Sequence, residues 1–437
     1  MFSVNSFCTV PWSSIVVMPS GDFRICCFGG TKKDNGIGLD EHGQVMNVLT
    51  HSFKEAMNTD LHKSVRLAQS RNEKHPSCYV CWKKEKAHLT EKNTHIYTVD
   101  TPGAYSYRIG RTFKHGKDAV SLNDAPSMMA ADGSIDNMPI SLDLRFTNLC
   151  NAKCIQCGPK YSSLWYNDHA ELTGKYDFDV GSKNYKIIKD NNKLIDNMVP
   201  WHDSPIWWER FDEIKNDVRH IYLTGGEPFI QKSHSKLLDI INEANLAHNI
   251  RLSYDTNLTV INKQLLDKLS KFKEVRFGIS VDDTEKRYEL IRYPCSWKKL
   301  NENLLTVMQV PNISITITNC IGIFNYDAPM RIIPHFNKLG INKFSFRLLS
   351  HPSCYDLANL TPNVKNEIIE MYENSNVPIQ HKSLIVGYLK NTMHKYTLDE
   401  CDTHAQDYIK RMNKLDQLRG TDWVDVFPGV LEKVTKK

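Results

Sequence analysis

Three cysteines within eight residues, Cys150, Cys154 and Cys157, are the first residues in this chain whose types and spacing suggest chemistry. Three thiolates at the end of a strand can converge on one side of a loop and hold a soft metal centre. Three is one fewer than a closed zinc site or a saturated cubane cluster needs, so one position is left for another ligand. A zinc knuckle that borrows a fourth ligand fits the same spacing. Haem attachment does not, because Gly158 rather than His follows the last cysteine. The second group is Thr224-Gly225-Gly226-Glu227-Pro228. Two glycines let a backbone approach a ligand closely and expose its carbonyls, and Glu227 adds an anion suited to a primary ammonium. Taken alone, the run reads equally well as a strand-to-helix turn with Pro opening the helix. A third set, Cys8, Cys26, Cys27, Cys78 and Cys81, lies near the N-terminus. Four of these thiolates would saturate a zinc ribbon or an iron–sulfur cluster.

These groups need elements to hold them. Pro139 to Phe146 alternates apolar and polar positions, reads as a strand, and leads directly into the three-cysteine loop. His220 to Leu223, Arg251 to Thr256, Val275 to Val281, Ile313 to Cys320 and Lys343 to Leu349 supply five more strands. Helical stretches fall between them, among them Ser233 to Ala247, Asn262 to Lys273, Trp297 to Gln309 and Pro329 to Leu339. Strands alternating with helices predict a parallel sheet, open or curved into a partial barrel, whose C-terminal strand ends share one face. The segment between the three-cysteine loop and the helix beginning at Ile206 is far longer than an ordinary βα connection. It carries Trp165 and Trp201, with Trp207 and Trp208 at its end, as packing aromatics or as the lining of a pocket. Ahead of the barrel, Trp12 to Met18 and Phe23 to Cys26 read as a hairpin turning at Ser20-Gly21, and Asn47 to Leu67 as one helix. The tail after Leu360 reads as helical. The expected layout is a small Cys-rich module (1–100), a connector (101–138), the barrel (139–350) and a helical extension (351–437).

Composition narrows the class. The 437 residues include 55 Lys plus Arg and 50 Asp plus Glu, a net charge of +5, with 41% apolar and 24% charged residues. That is the profile of a folded soluble chain, not a disordered or collagen-like one. The charge is too mild to point to nucleic acid. No uninterrupted apolar run reaches ten residues, which argues against a spanning helix, and the N-terminus lacks the basic region of a secretory signal. A cytoplasmic location is expected. There, clustered cysteines serve metals more often than disulfides, and eight of the twelve fall in the first 157 residues. Cys295, Cys320, Cys354 and Cys401 stand singly and read as buried thiols.

C-x3-C-x2-C after the first barrel strand, Gly-Gly-Glu-Pro after the second, and six βα units together resemble the radical S-adenosylmethionine (SAM) enzymes. The resemblance covers about residues 139 to 350. It implies that Cys150, Cys154 and Cys157 ligate a 4Fe-4S cluster whose fourth iron is chelated by the amino and carboxylate groups of SAM. One electron then cleaves SAM to methionine and a 5′-deoxyadenosyl radical, which abstracts a substrate hydrogen. It also implies that Gly225, Gly226 and Glu227 serve the SAM amino group. Asn257, in Asp255-Thr256-Asn257, and Ser280 and Asp282, in Ser280-Val281-Asp282, fall in segments near the ribose and carboxylate. Arg292 matches an arginine that contacts the carboxylate in some members. Gln156 departs from the pattern, which commonly has an aromatic residue before the last cysteine, and this puts adenine contacts at that position in doubt.

The N-terminal set is similar to a twitch module, a shortened SPASM domain, placed here before the barrel instead of after it. Cys8, Cys26, Cys78 and Cys81 would then bind an auxiliary 4Fe-4S cluster. The Gly21-x4-Cys26 spacing favours Cys26, but the choice between Cys26 and Cys27 stays open. The implied partners are SAM, a one-electron donor such as flavodoxin or ferredoxin, and an unidentified substrate, either a peptide or a small molecule. The rival expectation is a zinc-stabilised Cys-rich binding protein without radical chemistry.

Overall fold

A computed structural model describes residues 6–31, 35–82, 123–182, 185–191 and 193–436. The end of the expected front module and residues 101–122 of the expected connector lie outside the described residues. The strands in chain order are β1 (Ser14–Val17), β2 (Phe23–Arg24), β3 (Ser141–Leu144), β4 (Phe178–Ser182), β5 (Tyr185–Asp190) and β6 (Lys193–Asp196). They continue with β7 (His220–Leu223), β8 (Arg251–Thr256), β9 (Glu274–Ser280), β10 (Ile313–Ile321) and β11 (Phe344–Leu348).

Eight of these strands form one sheet in the order β2-β1-β3-β7-β8-β9-β10-β11. All neighbours are parallel except β1 and β2. The six expected barrel strands are all present, and the strand order runs from β2 to β11 without closing on itself. This is an α/β partial barrel. Alternation explains it: Leu252, Tyr254 and Thr256 on β8, like Val275, Phe277 and Ile279 on β9, are buried under the helices. The residues between them face the other way. Helices Lys232–Glu243, Lys263–Leu269, Trp297–Val307 and Pro329–Lys338 cover the apolar face.

The front hairpin turns where expected, with Gly21 at φ +81°. Its β1, however, pairs in parallel with β3, Ser14 opposite Ser141 and Val17 opposite Leu144. The Cys-rich segment and the barrel therefore share one sheet, and Trp12, Phe23 and Phe53 join the barrel residues in one core. The helix expected over Asn47 to Leu67 is two, Phe53–Met57 and Asp60–Ser70. The Thr59 side chain accepts from His62 N and so starts the second helix afresh.

The long segment after the three-cysteine loop folds as a helix, Trp165–Thr173, followed by the antiparallel sheet β4-β5-β6. Trp201 and Trp207 are fully buried, their rings 4.9 Å apart, and Trp201 Nε1 donates to Pro19 O at 2.9 Å. They pack the barrel against the front hairpin. The tail carries helices Pro362–Glu373, Ile379–Asn391 and Leu398–Arg419. These surround a second core with Tyr355, Tyr408 and Trp423, and that core also takes in Trp165. Among the described residues, no helix is long and apolar enough to cross a membrane.

Candidate functional site

The three-cysteine loop leaves the C-terminal end of β3 and is fixed along its whole length by backbone bonds. Cys157 N donates to Cys154 O at 2.9 Å, Lys153 N to Tyr293 O at 2.7 Å, and Ile155 N to Ile291 O at 2.8 Å. Ser162 Oγ donates to Ala152 O at 2.6 Å, and Trp165 Nε1 to Cys154 O at 2.9 Å. Cys154 is buried, and Cys150 and Cys157 are partly so. Burial raises all three thiols, Cys150 to about 12. Among the described residues, no three His, Cys, Asp or Glu side chains close on a single ion.

The Gly225-Gly226-Glu227 turn, at the end of β7, docks onto the stem of this loop. Gly226 N donates to Thr147 O at 3.1 Å, and Glu227 N to Leu149 O at 2.8 Å. Gly225 sits at φ +127°, which only glycine adopts readily. The Glu227 carboxylate is 1% exposed and holds the next strand end. Oε1 accepts from Thr256 Oγ1 at 2.7 Å and from Phe229 N at 3.3 Å; Oε2 accepts from Asn257 N at 2.7 Å. Burial pushes this carboxyl up to about 7, against the pull of those donors. Asn257 extends the link, donating through Nδ2 to Asn151 Oδ1 at 2.8 Å inside the cysteine loop.

Arg292 reaches the same loop from the other side. Its Nη1 lies 3.8 Å from Cys154 Sγ, and its Nη2 lies 2.8 Å from Asp282 Oδ2. Asp282 is fully buried, accepts from Cys320 N at 2.8 Å through Oδ1, and also takes the Gln156 amide on Oδ2. Cys150, Cys154 and Cys157, the glycine turn, Glu227, Asn257, Asp282 and Arg292 are thus tied together at one end of the sheet. Ser280 ends β9, two residues before Asp282.

In the front module, Cys8, Cys26, Cys78 and Cys81 line one enclosed pocket with Ile25 and Val65. Gly29 N lies 2.8 Å from Cys26 Sγ. Cys27 does not line that pocket; it lies within electrostatic reach of Arg24 and Arg145.

A group that motif spacing did not reveal lies on and beside the neighbouring strands β3, β7 and β8. Asp143 stands opposite Tyr222, and Tyr222 opposite Ser253. Arg145 makes a two-point contact with Asp143 at 3.0 and 3.1 Å. The Tyr222 hydroxyl donates to Asp255 Oδ2 at 2.6 Å. A Cβ on Gly278 would come within 2.6 Å of Asp255 Oδ1, so that glycine makes room for the carboxylate. Their only signal in the sequence is polarity at alternate strand positions.

Residues 144–331 match the radical SAM superfamily, and residues 8–82 match SPASM, an iron–sulfur cluster-binding domain. Over residues 144–331 the chain carries a radical SAM domain. The radical SAM match takes in the three-cysteine loop, the glycine turn and Arg292, and the SPASM match takes in Cys8, Cys26, Cys78 and Cys81. A radical SAM domain implies SAM and a 4Fe-4S cluster as cofactors, and a SPASM domain implies an auxiliary iron–sulfur cluster.

An uncharacterised protein of Methanocaldococcus jannaschii is 24% identical over 246 residues, covering 56% of this chain and 74% of its own. Among solved structures, Streptococcus suis SuiB bound to S-adenosylmethionine is similar at 13% identity and a TM-score of 0.33, over 72% of this chain and 61% of its own. Native anSMEcpe with bound AdoMet is similar at 15% identity and a TM-score of 0.36, over 57% of this chain and 63% of its own. The chain thus spans less than two thirds of either solved chain.

Proposed function

We propose that this chain cleaves SAM reductively and starts radical chemistry on a polar substrate held between the barrel and the front module. One observation carries the reading. The loop bearing Cys150, Cys154 and Cys157 is clamped between the glycine turn and the Arg292 segment, so thiolate ligands, a buried anion and a buried cation meet at the C-terminal strand ends. A 4Fe-4S cluster held by these three thiolates would supply the electron that cleaves SAM.

The chain's own residues prepare that site. Gly225 and Gly226 present backbone without side chains, and Glu227 offers its charge to the SAM ammonium. A carboxylate has about four acceptor positions. Three of those on Glu227 hold Phe229, Thr256 and Asn257, which leaves one for the ligand. Arg292 supplies a cation for the carboxylate end of SAM, oriented by Asp282, while Asn257 and Ser280 flank the ribose. The fit rests on geometry: the Arg292 guanidinium already stands beside Cys154 Sγ.

In the front module, Cys8, Cys26, Cys78 and Cys81 would complete an auxiliary cluster. Four ligands saturate it, so its part is to accept an electron or position substrate. The Asp143, Arg145, Tyr222 and Asp255 group supports a substrate rich in hydrogen-bonding groups, either a peptide or a small polar molecule. A flavodoxin or ferredoxin would donate the electron in the cytoplasm.

Anaerobic reconstitution followed by assay of 5′-deoxyadenosine under dithionite tests the reading. The expected result is a brown protein that forms 5′-deoxyadenosine, and a Cys154→Ala variant that stays folded and forms none. A colourless protein with stoichiometric zinc, or parental SAM cleavage by the variant, would overturn it.

A further inference from the structure

From sequence the tail reads only as a helical extension. The structure brings the end of its longest helix, Leu398–Arg419, onto residues that hold the three-cysteine loop. Arg419 ends that helix with a side chain 1% exposed. Its Nε donates to Asp168 Oδ2 at 2.9 Å, and its guanidinium carbon lies 4.9 Å from the Trp165 ring and 5.7 Å from the Tyr293 ring. Nη1 and Nη2 are buried with no hydrogen-bond partner among the described residues.

Each of these neighbours touches the loop. Trp165 donates to Cys154 O, Tyr293 O accepts from Lys153 N, and the other oxygen of Asp168 pairs with Lys153 Nζ at 2.8 Å. Two turns earlier on the same helix, Arg411 approaches the same indole at 5.4 Å and donates to the Tyr355 hydroxyl at 3.0 Å.

A buried guanidinium is costly unless something offsets it. Here Asp168 is shared between two cations, Lys153 and Arg419, so the group keeps one net positive charge. Cys154 is within that charge's electrostatic reach, as it is within reach of Arg292. The Arg292 charge is balanced by Asp282, whereas the Lys153–Asp168–Arg419 charge is not balanced within its own group.

We propose that Arg419 is a positioning residue for the three-cysteine loop, and that the net positive charge of its group with Lys153 and Asp168 makes a cluster held there easier to reduce. The proposal rests on the reading of that loop as a cluster site. Reduction adds one negative charge, and a buried cation nearby stabilises that charge while a buried anion opposes it. Removing the cation and removing the anion must therefore shift the potential in opposite directions. A purely structural prop would shift it the same way, or not at all.

The test is a redox titration of the reconstituted 437-residue chain, following the reduced cluster by electron paramagnetic resonance. To isolate the barrel site, parent and variants all carry Cys78→Ala and Cys81→Ala. Arg419→Met should lower the ratio of reduced to oxidised cluster at a fixed poise about tenfold, which corresponds to about 59 mV for one electron. Arg419→Lys should recover most of that loss, and Asp168→Asn should raise the ratio above the parental value. If Arg419→Met does not fold, the Asp168→Asn and Arg419→Lys results decide the matter alone. Potentials equal to the parent's in Arg419→Met, or a lowered potential in Asp168→Asn, would overturn the proposal and leave the cluster assignment standing. A parent that takes up no reducible cluster would instead defeat the function proposed above.

Discussion

A Cβ built on Gly226 would lie 1.9 Å from the carbonyl oxygen of Leu149, the residue just before Cys150. No side chain fits there, because the turn and the cysteine loop meet backbone to backbone. Gly226→Ala must push the loop away from the glycine turn. Overpacking of this kind costs roughly 1–3 kcal/mol. The variant should bind iron in its front module and lose it from the barrel, as read by iron analysis and visible absorption. A full iron complement in the variant would show that the loop tolerates the shift.

Glu227 gives the unloaded protein a pH signature. Its carboxyl is raised by burial to about 7, above its ordinary value of 4.5. The folded state therefore holds the proton more tightly than the unfolded state does. This contribution to stability is full below pH 4.5, falls as the pH rises toward 7, and is then level. The urea midpoint of the parent should therefore fall relative to that of Glu227→Gln as the pH rises across that window, and the difference should stay level above it. A difference independent of pH between 4.5 and 7 would contradict this.

Cys26 and Cys27 are neighbours in sequence that face different surroundings. Cys26 lines the four-cysteine pocket, and Cys27 does not. Cys26→Ala should reduce the reconstituted protein from about eight iron atoms to about four. Cys27→Ala should keep them all. The reverse result would exchange the two assignments.

Arg66 holds the front module to the end of the connector. It is fully buried and donates to Gly133 O, Pro11 O and Met57 O, each at 2.8 Å, and to Asn58 Oδ1 at 3.0 Å. Arg66→Met would leave these acceptors buried without donors, at roughly 1–3 kcal/mol for each one that water cannot reach. A loss of at least about 3 kcal/mol is expected in denaturant unfolding. A loss below about 1 kcal/mol would mean that water replaces the guanidinium.

The barrel was legible because its strands obey a period of two and its turns carry glycine and proline. Both chemical motifs were legible because they are local. What escaped was non-local or masked by charge. Tyr185–Asp190 and Lys193–Asp196 carry Lys and Asp at positions where a buried strand would be apolar, so the small insertion sheet left little pattern. The break between Phe53–Met57 and Asp60–Ser70 turned on one capping threonine inside a helical period. Gly226 was marked by its type, but the partner it accommodates, Leu149 O, was not written nearby. Nothing in the spacing links Arg419 to Cys154; only the packed tail does.

The parallel pairing of β1 with β3 also constrains how the chain is made. Ser14 must wait for Ser141, its partner in the ladder. A ribosome adding about 5–20 residues each second would need roughly 6–25 seconds to deliver that partner. Until then the apolar Ile15 and Val17, both fully buried in the finished fold, have only the two-residue β2 to pair with. Parallel pairing across so long a loop is intrinsically slow. The newborn N-terminal segment therefore passes through a period in which it is open to chaperones, and open to meeting the same segment of another nascent chain.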